Sequence, residues 1–159
     1  MAQNKFRGLG IALVTPFQAD GSIDFDALDR LIEYQIQGGA DFLCIMGTTA
    51  ETPTLSREEK RLLKEHFVER VAGRVPLLMG CGGNNTAAIL EELQTENWKG
   101  IDGILSVCPY YNKPTQEGLY QHFAAIASVS GHIMEYMYRR LEPKQPIPIL
   151  EIHGTHDPL

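Results

Sequence analysis

Apolar positions in this chain fall in two alternating patterns. Short, nearly unbroken apolar runs occupy residues 9–15, 41–46, 75–80 and 101–107. Runs of this kind mark strands of a parallel sheet covered on both faces, because neither face then needs polar positions. Between them, apolar residues recur every three or four positions. Leu28, Leu31, Ile32 and Ile36 form one stripe behind a candidate N-cap at Asp24. Ser56-Arg57-Glu58-Glu59 reads as a capping box, opening a helix that turns Leu62, Leu63, Phe67 and Val71 inward and is stopped by Gly73. Two further helices are predicted over about 85–96 and 115–128.

The order is therefore βαβαβαβα, which predicts an α/β fold with right-handed crossovers. An open doubly wound sheet and the wall of a (β/α)8 barrel both satisfy this pattern, and periodicity does not separate them. After residue 130 the rhythm breaks. A short helix is expected over 132–141, a linker at Pro143-Lys144-Gln145-Pro146, and a fifth strand over 147–152.

Composition narrows the class. The 159 residues are 43% hydrophobic, enough for one globular domain with a core. A net charge of −6 and the lack of a basic stripe argue against a nucleic-acid partner. No run of 18 apolar residues predicts a membrane span, and the N-terminus has no signal-like apolar segment, so a cytoplasmic protein is expected. Cys44, Cys81 and Cys108 match no zinc spacing and read as buried, reduced thiols. Neither a metal nor another cofactor is expected.

Candidate chemistry sits after the second and fourth runs. Gly47-Thr48-Thr49-Ala50-Glu51 places two adjacent hydroxyls where parallel α/β proteins build their sites, and these with backbone amides can hold a carboxylate. An ordinary strand-to-helix loop has the same composition. Pro109-Tyr110-Tyr111-Asn112-Lys113-Pro114 places two phenols between prolines. A phenol there can relay a proton, or simply pack on the rim of the sheet.

Together with Ala12-Leu13-Val14-Thr15-Pro16-Phe17, Gly82-Gly83-Asn84-Asn85-Thr86 and Gln116-Glu117-Gly118-Leu119-Tyr120-Gln121-His122-Phe123, these motifs resemble the dihydrodipicolinate synthase and N-acetylneuraminate lyase family over residues 5–127. The resemblance implies a (β/α)8 barrel of which this chain holds about four βα units, condensing pyruvate with aspartate semialdehyde in lysine biosynthesis. It implies that Thr48 relays protons, that Thr49 holds the pyruvate carboxylate, and that Tyr111 reaches across a dimer contact into a neighbour's site. Ala50 stands where the family most often has Gly, a mild departure if no positive φ is required.

The same resemblance requires a lysine on the sixth strand to form a Schiff base. The lysines are Lys5, Lys60, Lys64, Lys99, Lys113 and Lys144, and none falls in an apolar run. Lys60 and Lys64 are expected on a solvated helix face. The family's second tyrosine and substrate-binding arginine have no counterpart in Tyr136, Tyr138 or Arg139, which lack the surrounding motif.

Residues 128–159 are expected to be a non-barrel segment. The stretch from Ile147 to Pro158 resembles esterases of the α/β-hydrolase kind, and Asp157 matches their triad acid. No G-x-S-x-G elbow occurs to supply the serine, and His153, His156 and Glu151 are not spaced to converge on a metal. The resulting expectation is an apparent chimera with a junction within 123–131: a truncated barrel half, inactive alone, joined to a hydrolase-like tail. The resemblance implies a homo-oligomer, and open sheet edges are expected to invite self-association.

Overall fold

The computed structural model of the chain describes residues 5–130. The elements are β1 (Gly10–Ala12), α1 (Phe25–Gln37), β2 (Phe42–Ile45), α2 (Arg57–Val71), β3 (Leu77–Gly80), α3 (Thr86–Thr95), β4 (Gly103–Leu105) and α4 (Gln116–Val129). The helix and strand expected over 132–141 and 147–152 lie outside the described residues.

All three strand pairings are parallel, and the sheet order is β1-β2-β3-β4. This order decides between the two architectures. A doubly wound sheet reverses direction at a switch point, whereas a barrel wall adds each new strand beside the last. The described residues are thus part of a barrel, with β1 and β4 at its two edges.

Strand alternation sorts the apolar runs into two layers. Leu43, Ile45, Leu77 and Met79 meet Leu28 and Ile32 of α1 and Leu63, Phe67 and Val71 of α2 in one buried core. A second core, around Cys81, Ile89, Leu93, Ile104 and Ile126, joins β4 to α3 and α4. The opposite strand face carries Ala12, Cys44, Leu78 and Gly103 in register. Phe6 packs edge-on against Phe42 at 5.4 Å and fills the space that a side chain at Gly103 would need.

Each helix starts at a polar cap immediately after a strand-end loop. Asp24 accepts from the Ala27 amide at 2.8 Å, and Ser56 and Glu59 form the complete reciprocal box. Asn85 and Thr115 cap α3 and α4. The end of α2 differs by one residue from the sequence reading. Ala72, not Gly73, is the first left-handed residue, at φ 50°, and its amide donates to the Val68 carbonyl.

Three further expectations are corrected. Leu62 is 40% exposed, because only one stripe of α2 faces the sheet and Leu63, Phe67 and Val71 occupy it. Cys108 is exposed in the loop after β4, whereas Cys44 and Cys81 are buried. Lys64 is buried rather than solvated. Its ammonium lies 2.5 Å from a Glu96 carboxylate oxygen and 5.9 Å from the centre of the Trp98 ring. The lysine stem is apolar, so it packs between helices while its charge finds a carboxylate at the end of α3.

Candidate active site

Parallel strands deliver all four following loops to one end of the sheet, and cross-loop contacts tie those loops together. The Thr15 hydroxyl, after β1, donates to the Ala50 carbonyl after β2 at 2.8 Å. Gly80, ending β3, lies so close to the same loop that a Cβ there would fall 2.1 Å from the Met46 carbonyl oxygen. Gly82 approaches the Val107 amide of the β4 loop in the same way. The Asn112 side-chain amide then donates to the Asn84 carbonyl at 2.9 Å.

Within this rim, Thr48, Thr49 and Ala50 form one turn of 3-10 helix. Thr52 closes it from below by donating its hydroxyl to the Gly47 carbonyl at 2.9 Å. Thr48 and Thr49 are exposed, and among the described residues neither hydroxyl has a hydrogen-bond partner. Ala50 is buried and is not a positive-φ residue, so the departure from Gly leaves the backbone unstrained there. The positive φ falls instead on the flanking residues, Met46 at 52° and Glu51 at 53°.

Tyr111 also has a positive φ, 69°, and the amide of Asn112 donates to the carbonyl of Tyr110 at 2.8 Å. A φ near +70° inside a three-residue hydrogen-bonded turn belongs to the rarer, strained γ-turn. Tyr111 is 91% exposed and Tyr110 56%, so neither packs on the rim as a core aromatic would. Lys113 follows at φ 46°.

Strain is therefore localised. Five non-glycine residues among those described have positive φ, and four of them, Met46, Glu51, Tyr111 and Lys113, lie in these two loops. The fifth, Ala72, ends a helix. Left-handed backbone costs an ordinary L-residue about 1–2 kcal/mol, and it persists where surrounding contacts over-determine it. Sequence reading found Thr48, Thr49 and Tyr111 but gave no role to Thr15, Gly80 or Asn112. Of these, only Asn112 carried a usable signal, as an amide side chain in the turn-forming Tyr loop.

Not every expected feature gathers here. A cavity of about 330 Å³ lies elsewhere, between α2 and α3, where Met46 and Met79 meet Arg57, Lys60 and Lys64 on one side and Glu92 on the other. It does not include Thr48, Thr49 or Tyr111. Lys64 is held there by Glu96. No group of three or more His, Cys, Asp or Glu side chains able to hold a metal occurs among the described residues. Asp157, Glu151, His153 and His156 lie outside them.

The family model described as the dihydrodipicolinate synthetase family matches residues 5–139. The chain belongs to this family. Among curated relatives of this dihydrodipicolinate synthetase family member, the 4-hydroxy-tetrahydrodipicolinate synthase of Parabacteroides distasonis is 52% identical over 138 residues, 87% of this chain and 46% of that protein. The enzyme of the same name from Phocaeicola vulgatus is 53% identical over 130 residues, 82% and 44% of the two chains. The chain thus spans less than half the length of these relatives.

Solved structures agree on the fold. The dihydrodipicolinate synthase of Thermotoga maritima superposes with a TM-score of 0.74 at 42% identity, covering 79% of this chain and 42% of that one. The chloride-inhibited dihydrodipicolinate synthase of Acinetobacter baumannii, complexed with pyruvate, gives 0.72 at 41% identity over 77% and 42%. Among the described residues, no helix of this family member is long and apolar enough to cross a membrane.

Proposed function

We propose that residues 5–130 form the first half of a barrel site for a Schiff-base pyruvate lyase, condensing pyruvate with aspartate semialdehyde in lysine biosynthesis. The observation that carries this reading is the concentration of left-handed residues in the Thr48-Thr49 turn and the Tyr111 loop, with two hydroxyls on the first that have no partner among the described residues. Thr49 would donate to the pyruvate carboxylate. Thr48 would pass protons during imine formation and carbon–carbon bond making, and Tyr111 would supply a phenol to a neighbouring subunit's site.

The condensation begins when a neutral lysine amine attacks the pyruvate carbonyl, losing water to form an imine. No described lysine lies on a strand, and the buried one, Lys64, is paired with Glu96 on the outer side of the sheet. These 159 residues alone are therefore expected to form no Schiff base. Incubation with pyruvate and borohydride, followed by intact mass, should show the unmodified chain. A reduced adduct on any lysine would refute this.

One observation favours a second reading, that of a non-catalytic subunit docking on an intact homologue. Tyr111 is 91% exposed at the apex of a hydrogen-bonded turn, a side chain presented outward rather than to its own domain. Co-purification with a full-length synthase, lost on Tyr111→Ala, would support it. A chain that stays monomeric beside that synthase would end it.

The hydrolase-like reading of the last residues, with a join within 123–131, rests on the motif around Asp157, while the family model matches through residue 139. Sequencing of the source DNA across codons 118–135 tests the join. Hydrolysis of a p-nitrophenyl ester tests the remnant activity, which is expected to be absent.

A further inference from the structure

We infer that Thr15 is a positioning residue for the Thr48-Thr49 turn, acting through the Ala50 carbonyl. This rests on the site reading above and extends it to a residue on a different strand end. Thr15 is 6% exposed, and its hydroxyl donates to the Ala50 oxygen at 2.8 Å across 35 residues of sequence.

The turn needs such a tie. It is entered through Met46 and left through Glu51, both left-handed, and its own hydrogen bonds join only nearby residues: the Ala50 amide to the Gly47 carbonyl at 3.2 Å and the Glu51 amide to the Thr48 carbonyl at 3.0 Å. The Thr52 bond to Gly47 is also internal to the loop. A loop held only to itself can pivot as a unit. Besides the core packing of Met46 and Leu55, two contacts among the described residues reach it from neighbouring strand ends: the close approach of Gly80 to Met46 on the β3 side, and the Thr15 bond on the β1 side. The first is steric and limits approach in one direction. The second is directional, and it satisfies a carbonyl on a residue only 3% exposed. Without it, that carbonyl must rotate toward water, taking with it the turn that carries the two hydroxyls.

The test compares Thr15→Val, which keeps the shape and loses the hydroxyl, with Thr15→Ser, which keeps the hydroxyl. Amide hydrogen exchange read by NMR should be about tenfold faster at Ala50 and Glu51 in the Val variant, with the amides of α2 unchanged and the Ser variant close to wild type. Wild-type exchange rates at Ala50 and Glu51 in the Val variant would overturn the inference, as would an acceleration spread evenly through α2. Pyruvate titration gives the functional arm. Shifts at the Thr48 and Thr49 amides should saturate at about tenfold higher pyruvate in the Val variant and recover in the Ser variant. Equal midpoints would overturn positioning. If pyruvate moves nothing even in wild type while the exchange contrast stands, the pyruvate-site reading fails and the positioning role survives. Should the Val variant not fold, the wild-type Thr15 hydroxyl proton decides: slow exchange with water and a cross-peak to Ala50 support the bond, and their absence overturns it.

Discussion

The Lys64 ammonium and the Glu96 carboxylate form an ion pair that ties the middle of α2 to the residue ending α3. The two ends are unequally buried, the lysine side chain at 8% exposure and the glutamate at 39%. Glu96→Gln should therefore cost more than Lys64→Met. The first leaves a buried charge with a weaker partner, about 1–3 kcal/mol, and the second leaves a carboxylate that water can reach. Urea unfolding of both variants checks the order. Lys64→Met being the more damaging change would contradict this account.

His122 makes stability fall with acid. Its Nδ1 meets the Thr86 hydroxyl at 2.8 Å, its Nε2 is buried without a partner among the described residues, and burial holds its pKa below 6.5. The unfolded chain then binds the proton more readily than the folded one. The histidine's contribution is complete above the unfolded value of 6.5 and is lost as pH drops below it. Urea midpoints at about pH 7.5 and about pH 5.5 should differ more in wild type than in His122→Leu.

Thiol reactivity should separate the three cysteines. Burial raises the pKa of Cys44, and burial together with the Glu92 carboxylate pushes Cys81 up to about 12. Cys108 is exposed. An aromatic disulfide reagent should label Cys108 quickly in the native protein, and Cys44 and Cys81 only after denaturation. Peptide mapping identifies the site.

Gly80 tests how closely β3 approaches the threonine loop. In Gly80→Ala, the new Cβ would lie 2.1 Å from the Met46 carbonyl oxygen, so backbone rather than a flexible side chain must move. A loss of about 1–3 kcal/mol is expected in urea unfolding, with amide shifts largest at residues 46–51. An unperturbed loop would show that the contact is slack.

The cap of α2 has a predictable worth and a predictable pH limit. Ser56→Ala should cost about 1 kcal/mol at neutral pH. Hydrogen bonds from Ser56 hold the Glu59 carboxyl below its usual value of 4.5, so its share is present above that pH and is lost as pH falls through the lower, folded value. The gap between the thermal midpoints of wild type and variant should narrow in acid without vanishing, because the Glu59 amide still donates to the Ser56 hydroxyl.

Much of the fold was legible in short windows of sequence. Asp24, Ser56 and Glu59 could be recognised as caps because a cap depends on residues two or three positions away. The four apolar runs became the four strands for a similar reason: a strand covered on both faces carries its pattern in itself. The motifs around Thr48, Thr49 and Tyr111 identified the family, since their spacing is local too. Lys64 was misplaced because the period of α2 puts it beside Lys60, while its burial depends on Glu96 and Trp98 more than thirty residues on.

The sequence by itself determined the elements, the N-caps of α1 and α2 and the ancestry of the strand-end loops. Only the tertiary structure decided that the sheet runs in sequential order, that Lys64 is buried, and that Thr15 holds the Ala50 carbonyl. Each of these depends on two segments distant in the chain meeting at one place. Strand pairing, a buried ion pair and a cross-loop hydrogen bond leave no periodic trace in either segment alone, because the energy lies in the contact and not in the residues that flank it.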